Sequence, residues 1–460
     1  VPLALINVVG LSAGLLARMP RLLARASAGA VRELVPPLPA VTCTAQASML
    51  TGLLPRDHGI VGNGWFDRAL GEVHFWKQSN RLVGGEPIWE ALRRRDPSAT
   101  VANLFWWFNM FTTADFAVTP RPMYPADGRK IPDVWTQPGD LRDELQKELG
   151  QFPLFKFWGP MADIESSTWI VESAKFVVKR HRPTLTLVYV PHLDYPLQKF
   201  GPDHDCIDAE LRAVDTLVGD LCDWLEGEGV TPMIVSEYGI GAVDGAVCPN
   251  RILRDAGLLS VRDELGREIL DPAASRAFAV VDHQVAHVYA QSERDRDAAI
   301  EALGSIAGVS SILHGASLAE AGLDHPRSGD AVLVAEPRSW FAYPWWHDDA
   351  KAPDYARTVD IHRKPGYDPC ELFLDPEVSL PKLRIGWTLL KRKLGQRALL
   401  EVVPLDPSLV RGSHGIVPED RSLRPLLIGP LIAPATANLP DGPLAMTAVR
   451  DVLLTATASG

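Results

Sequence analysis

The chain has 460 residues, 46% of them hydrophobic and 22% charged, and carries a formal net charge of -11. With 46 Lys and Arg against 57 Asp and Glu, a general nucleic-acid surface is excluded, because that surface needs excess cations to displace counterions. A small anionic substrate is not excluded, since a pocket can be locally positive.

Leu3 to Val9 is a short apolar run closed by Gly10, as expected of a buried parallel strand. No basic segment precedes it, and Arg18 and Arg21 interrupt the next apolar stretch. A signal peptide or membrane span is therefore not expected, and a cytoplasmic location is the default. Ser12 to Ala30 reads as helix broken at Pro20. Pro36, Pro37 and Pro39 disfavour a helix before Ala40, Thr42 or Thr44 then caps one over Ala45 to Leu50, and Gly52 ends it. A hydroxyl at a helix start sits among unpaired amide donors, where anions are held readily. On these features alone an ordinary cap is the simpler reading.

Gly85 to Arg95 reads as helix and Thr100 to Leu104 as strand. The run Phe105 to Phe111 holds six large apolar side chains, read as core or as a lid, with base stacking as the alternative. Residues 115 to 160, rich in proline and aromatics, read as irregular, lid-like structure. A helix over Ser166 to Arg180 and a strand over Leu185 to Tyr189 lead to Asp194, Gln198, Gly201 and Pro202. Asp208 to Glu226 is a periodic helix, and the strand after it, Pro232 to Val235, runs into Ser236-Glu237-Tyr238-Gly239.

Val280 to Tyr289, rich in β-branched residues, reads as one strand with His283 and His287 on a shared face. Between Trp340 and Pro369, Asp360 and His362 stand two apart, on one face if extended, and are candidates for metal ligands. Lys382 to Arg397 holds six basic residues, read as a solvated helix face or as a contact for an anionic substrate tail or partner. Gly412-Ser413-His414-Gly415 follows, and Pro440 to Leu454 closes the chain as a helix. The five cysteines form no CxxC pair, so neither a zinc knuckle nor a disulfide framework is suggested.

Thr42, the Thr51-Gly52-Leu53 nine positions on, and Pro55-x-x-His58-Gly59-Ile60-x-x-Asn63 together resemble the alkaline phosphatase superfamily, in particular its type I phosphodiesterase/nucleotide pyrophosphatase branch. The resemblance implies that Thr42 is the nucleophile and that Asn63 holds a phosphoryl oxygen. It implies metal ligands at Asp194, Glu237 and His414, and it also marks three departures. Val9 stands where the family has Asp, Gln198 where it has His, and Tyr238 where it has His. Valine ligates nothing, a neutral amide is a weak ligand for zinc, and a phenol ligates well only when deprotonated. Asn7 shares a strand face with Val9 but lies ~6.6 Å away, a poor substitute.

The implied fold is α/β, with a largely parallel central sheet, helices on both faces and inserted cap elements. A single domain over residues 1–460 is expected, with caps over 105–160 and 340–410. The implied activity is hydrolysis of a phosphate ester or diester through Thr42, with a depleted or rebuilt metal site. The alternative is an inactive relative that binds a phosphorylated small molecule or a protein partner. At most one tightly bound divalent ion, zinc or manganese, is expected, held by Asp194 and His414 with Gln198 as a weak third and completed by Asp360 and His362, while Glu237 remains at the second position. A small phosphorylated substrate is expected, with no nucleic acid and no membrane partner; the oligomeric state is left open.

Overall fold

The structure, a computed structural model, describes residues 2–126, 129–378, 381–394, 398–437 and 441–458. A nine-stranded sheet runs through it in the order Leu444–Ala445, Ala30–Val35, Leu426–Gly429, Thr231–Val235, Leu3–Val8, Leu185–Val190, Val101–Leu104, Phe116–Pro120 and Val134–Gln137. The four central neighbours, from Thr231–Val235 to Val101–Leu104, pair in parallel, and Phe116–Pro120 continues that run. Antiparallel pairs join Ala30–Val35, Leu426–Gly429 and Thr231–Val235 on one side, and close the other edge at Val134–Gln137. All six residues of Leu3–Val8 are buried although successive side chains point to opposite faces, so both faces are covered. A separate four-stranded antiparallel sheet, in the order Ala277–Asp282, Val285–Ala290, Ala331–Ala335 and Val309–Leu313, carries its own apolar cluster.

The α/β reading is correct, and several local readings need amendment. Val280 to Tyr289 is a hairpin, not one strand. Its turn falls at His283, which takes the left-handed conformation (φ 60°), so His283 and His287 do not share a strand face. Residues 115–160 are less irregular than their composition suggests, because Phe116–Pro120 and Val134–Gln137 are strands of the central sheet and Leu141–Leu149 is a helix. The helix Thr42–Thr51 has Val41 at its N-cap with no side-chain cap, so Thr42 is its first residue and its hydroxyl is free for other work. Gly52 ends it in the left-handed conformation, as expected. The closing helix runs Val449–Ala458, preceded by the short strand Leu444–Ala445. Pro440 and Arg397 lie outside the described residues. Among the described residues no helix is long and apolar enough to cross a membrane.

Candidate active site

Three adjacent parallel strands deliver the site at their carboxyl ends, where open α/β sheets place ligands. Leu3–Val8 carries Asn7 near its end, Leu185–Val190 leads to the helix Asp194–Phe200, and Thr231–Val235 is followed by Glu237 and Tyr238. His414 comes from a distant loop. Its imidazole meets the Ala40 carbonyl through Nδ1 at 2.8 Å, and the Ala40 amide donates to the Gly415 carbonyl at 2.7 Å. These bonds fix the turn that precedes Thr42.

The centre is a chain of hydrogen bonds. Tyr238 donates its hydroxyl to Asp194 Oδ1 at 3.2 Å, which leaves the Thr42 hydroxyl, 3.0 Å from the same phenol oxygen, to donate to it. Gln198 Nε2 donates to Asp194 Oδ2 at 2.7 Å, and Tyr367 donates to Gln198 Oε1 at 3.1 Å. Glu237 Oε1 accepts from the amides of Asn7 and Gln46. Asn63, 21 positions after Thr42, accepts through Oδ1 from the Cys43 amide at 3.0 Å. Asp282 takes the Asn63 backbone amide at 2.6 Å and its Nδ2 at 3.0 Å.

Burial sets the protonation of these groups. It pushes the Asp194 carboxyl up to about 7, against the hydrogen bonds from Tyr238 and Gln198 that favour its anion. It raises Glu237 to about 8 against the hydrogen bonds from Gln46 and Asn7, and Asp282 to about 7 against those from Asn63. The same burial lowers His414 to about 3 and raises the Tyr238 phenol well above its usual value.

This donor set does not fit two divalent cations. Val9 offers no ligand, the Tyr238 phenol is held protonated, and Gln198 turns its amide nitrogen to Asp194. Only Asp194 and His414 stay poised at one position, with Oδ1 and Nε2 3.7 Å apart and Nε2 without a hydrogen-bond partner. Glu237 Oε2 and Asn7 Oδ1 are also buried and unpartnered, but they belong to the other position. Among the described residues no group of three or more His, Cys, Asp or Glu side chains could hold a metal ion. Asp360 and His362 reach the wall of the same cavity. There the Asp360 amide donates to Glu371 and His362 Nδ1 lies 3.4 Å from the Phe75 carbonyl. His192 pairs with Glu210 at 2.7 Å, and His204 with Cys206 at 3.0 Å, as ordinary structural histidines.

Thr42, Asp194 and Tyr238 open on a cavity of about 650 Å³. Trp76, Trp107, Trp158, Tyr195 and Tyr367 form much of its wall, with Arg121, Lys130 and Arg363 as its cations. Trp158 and Lys130 fall in the stretch 115–160 read as lid-like, whereas the sequence offered no signal for Trp76. Asp282 and Gln46 were missed as well, because their partners Asn63 and Glu237 lie 219 and 191 positions away.

The sequence pattern of the type I phosphodiesterase / nucleotide pyrophosphatase family matches residues 3–368. The chain is 27% identical over 217 residues to an uncharacterized pyrophosphatase/phosphodiesterase of Schizosaccharomyces pombe, a match covering 45% of this chain and 37% of that protein. It is 24% identical over 228 residues to ectonucleotide pyrophosphatase/phosphodiesterase 2 of Saccharomyces cerevisiae, covering 46% and 40%. The chain thus matches well under half the length of these curated relatives. In fold it is similar to phosphonoacetate hydrolase from Sinorhizobium meliloti, with a TM-score of 0.61 at 16% identity over 99% of this chain and 96% of that one. It is similar also to murine ectonucleotide pyrophosphatase/phosphodiesterase 5, with a TM-score of 0.60 at 14% identity over 100% and 95%. The chain belongs to the type I phosphodiesterase/nucleotide pyrophosphatase family.

Proposed function

From that membership we propose that the chain hydrolyses a phosphate ester or diester through Thr42. The observation that carries this reading is the position of the Thr42 hydroxyl. It stands on the first residue of a helix, at the floor of the cavity, and is hydrogen-bonded through Tyr238 to a buried carboxylate. A helix start favours the negative charge of a phosphoryl group. Attack by Thr42 Oγ on phosphorus forms a phospho-threonine and expels the alcohol or phosphate of the substrate. The hydroxyl proton has a route through the Tyr238 oxygen towards Asp194. Water then hydrolyses the phospho-threonine and returns the free hydroxyl. Asn63, clamped by Asp282 and the Cys43 amide, is the side chain we assign to a phosphoryl oxygen.

We further propose at most one tightly bound divalent ion, zinc or manganese, with Asp194 and His414 as its strong ligands. The aromatic walls and the three cations suit a phosphorylated molecule with a large flat or apolar group. One of the solved relatives, murine ectonucleotide pyrophosphatase/phosphodiesterase 5, has been captured in complex with AMP. An AMP-like ester is accordingly the first ligand to try.

A second reading has an observation of its own. Asp194 and the Oε1 atom of Glu237 each accept from two neutral protein donors, as expected of a site that binds a phosphorylated ligand without turnover. Assay of bis-p-nitrophenyl phosphate with the wild type and with Thr42→Ala separates the two. Turnover lost in the variant supports hydrolysis, whereas saturable AMP binding without turnover in the wild type supports the binder.

A further inference from the structure

The helix Pro381–Lys393 leaves a row of large apolar side chains uncovered. Leu383, Trp387, Leu390 and Leu394 are 68%, 59%, 45% and 70% exposed. Their spacing of four, three and four residues puts them within about 60° of one another around a helix that turns 100° per residue. Ile385, which lines the cavity, and the buried Thr388 fall on the opposite side. The helix therefore rests on the protein by one face and presents the other, apolar one outward.

Two further features say what covers that face. The stretch 382–393 holds Lys382, Arg384, Lys391, Arg392 and Lys393 and no acidic residue, in a chain of net charge -11. Helical spacing puts Lys391 about a quarter turn from the apolar row. Lys391 Nζ lies 5.6 Å from the Trp387 ring, so a cation and an indole stand side by side, as at a headgroup boundary. The same helix reaches the cavity through Ile385, and four other lining residues, Phe155, Met161, Leu374 and Leu399, are apolar and each more than a third exposed.

We propose that this helix docks on an anionic lipid surface, lying in its plane with the apolar row inserted and the mouth of the cavity held against the headgroups. A basic helix with a leucine and tryptophan face is what such surfaces bind, through buried apolar area and attraction to anionic lipid. A second copy of the chain fits less well, since it brings two like-charged segments together. This docking amends the expectation that no membrane takes part, and it stands whether or not Thr42 turns substrate over.

The test is co-sedimentation of the purified chain with vesicles of phosphatidylcholine containing phosphatidylserine, and with vesicles of phosphatidylcholine alone. The expected result is binding to the mixed vesicles that weakens with added salt. The double variant Leu383→Glu, Trp387→Glu should lose vesicle partitioning on the order of 100-fold. Its circular dichroism and its handling of a soluble phosphodiester or AMP should stay as in the wild type, since neither side chain lines the cavity. Failure of the wild type to sediment with either vesicle, or equal sedimentation of the variant, overturns the proposal. So does light scattering that shows a dimer which the double variant dissociates, because the face would then be covered by a second copy.

Discussion

The Tyr238 ring lies flat on the His414 imidazole, with centroids 3.5 Å apart and planes 7° from parallel. The stack sets the phenol oxygen between Thr42 and Asp194, where it bonds to both. It also puts an uncharged group at a position where the family resemblance implies a metal-binding imidazole. The neighbouring charges are muted in the same way, Asp194 by Gln198 and Glu237 by Asn7 and Gln46. The site is held by neutral hydrogen bonds around the Thr42 hydroxyl.

Thr42→Ala is expected to abolish turnover of an activated aryl phosphodiester while leaving the thermal unfolding midpoint within a few degrees. The side chain caps nothing, so its loss costs little in folding. Retained turnover would move the nucleophile to Thr44, whose buried hydroxyl has no partner, or to a water.

Tyr238→Phe removes the phenol oxygen and keeps the ring on His414. If the proton leaves Thr42 through that oxygen, kcat should fall by about 10²-fold, the usual scale for a proton-transfer partner, with KM little changed. A rise in KM at constant kcat would mean that Tyr238 only shapes the pocket.

Much of the fold was legible because it is written locally. Leu3 to Val9 is an uninterrupted apolar run, and the helix read over Asp208 to Glu226 spans Ile207–Gly227. Gly52 was placed at its helix end by the one property only glycine supplies cheaply, a left-handed backbone. The hairpin at His283 was not legible, because Asp282-His283-Gln284 contains none of the glycine, proline or asparagine that marks such turns, and β-branched residues flank it on both sides. Four residues singled out by type and spacing, Thr42, Asp194, Gln198 and Tyr238, stand in one chain of hydrogen bonds. The groups that hold Asn63 and Glu237 were not singled out, since Asp282 and Gln46 act over long sequence separations that leave no local pattern. Asp360 and His362 were singled out as ligand candidates by their spacing of two, and they line the cavity; the sequence could not show that their loop is tied to Glu371 and Phe75.

Asp282 gives a stability prediction with a definite sign. Its carboxyl is raised to about 7 in the folded chain, chiefly by burial, and titrates near ~4 when unfolded. Between those values the folded state binds more protons than the unfolded one, so stability falls as pH rises. The loss from this group is complete above the folded value and is on the order of 2–4 kcal/mol. Asp194 and Glu237 add to the same trend. Urea midpoints at pH 5 and pH 8 should show the wild type losing stability over that interval. Asp282→Asn should be less stable at pH 5, because one acceptor for Asn63 is gone, yet show a shallower fall towards pH 8. An unchanged fall would mean that the carboxyl is ionised throughout.

The last prediction concerns metal content. A tight zinc site needs three or four strong protein ligands, and the positions present supply fewer. Asp194 and His414 can act together, their nearest atoms 3.7 Å apart, with Gln198 as a weak third. On the other side Glu237 stands with Asn7 and the Thr42 hydroxyl, opposite Val9 and a phenol held protonated. Elemental analysis of purified protein after dialysis against zinc or manganese should therefore find at most one equivalent per chain. His414→Ala should remove whatever is bound, because it takes away the unpartnered imidazole nitrogen that lies 3.7 Å from Asp194 Oδ1. Gln198→His should act in the opposite direction and raise zinc affinity about 10-fold or more, since it returns an imidazole to the first position. If Asp360 and His362 complete the shell, the paired variant Asp360→Ala, His362→Ala will lose the ion as His414→Ala does. If they do not, it will keep it. Two equivalents in the wild type would overturn the idea, and with it the conclusion that Tyr238 and Val9 have closed the second position.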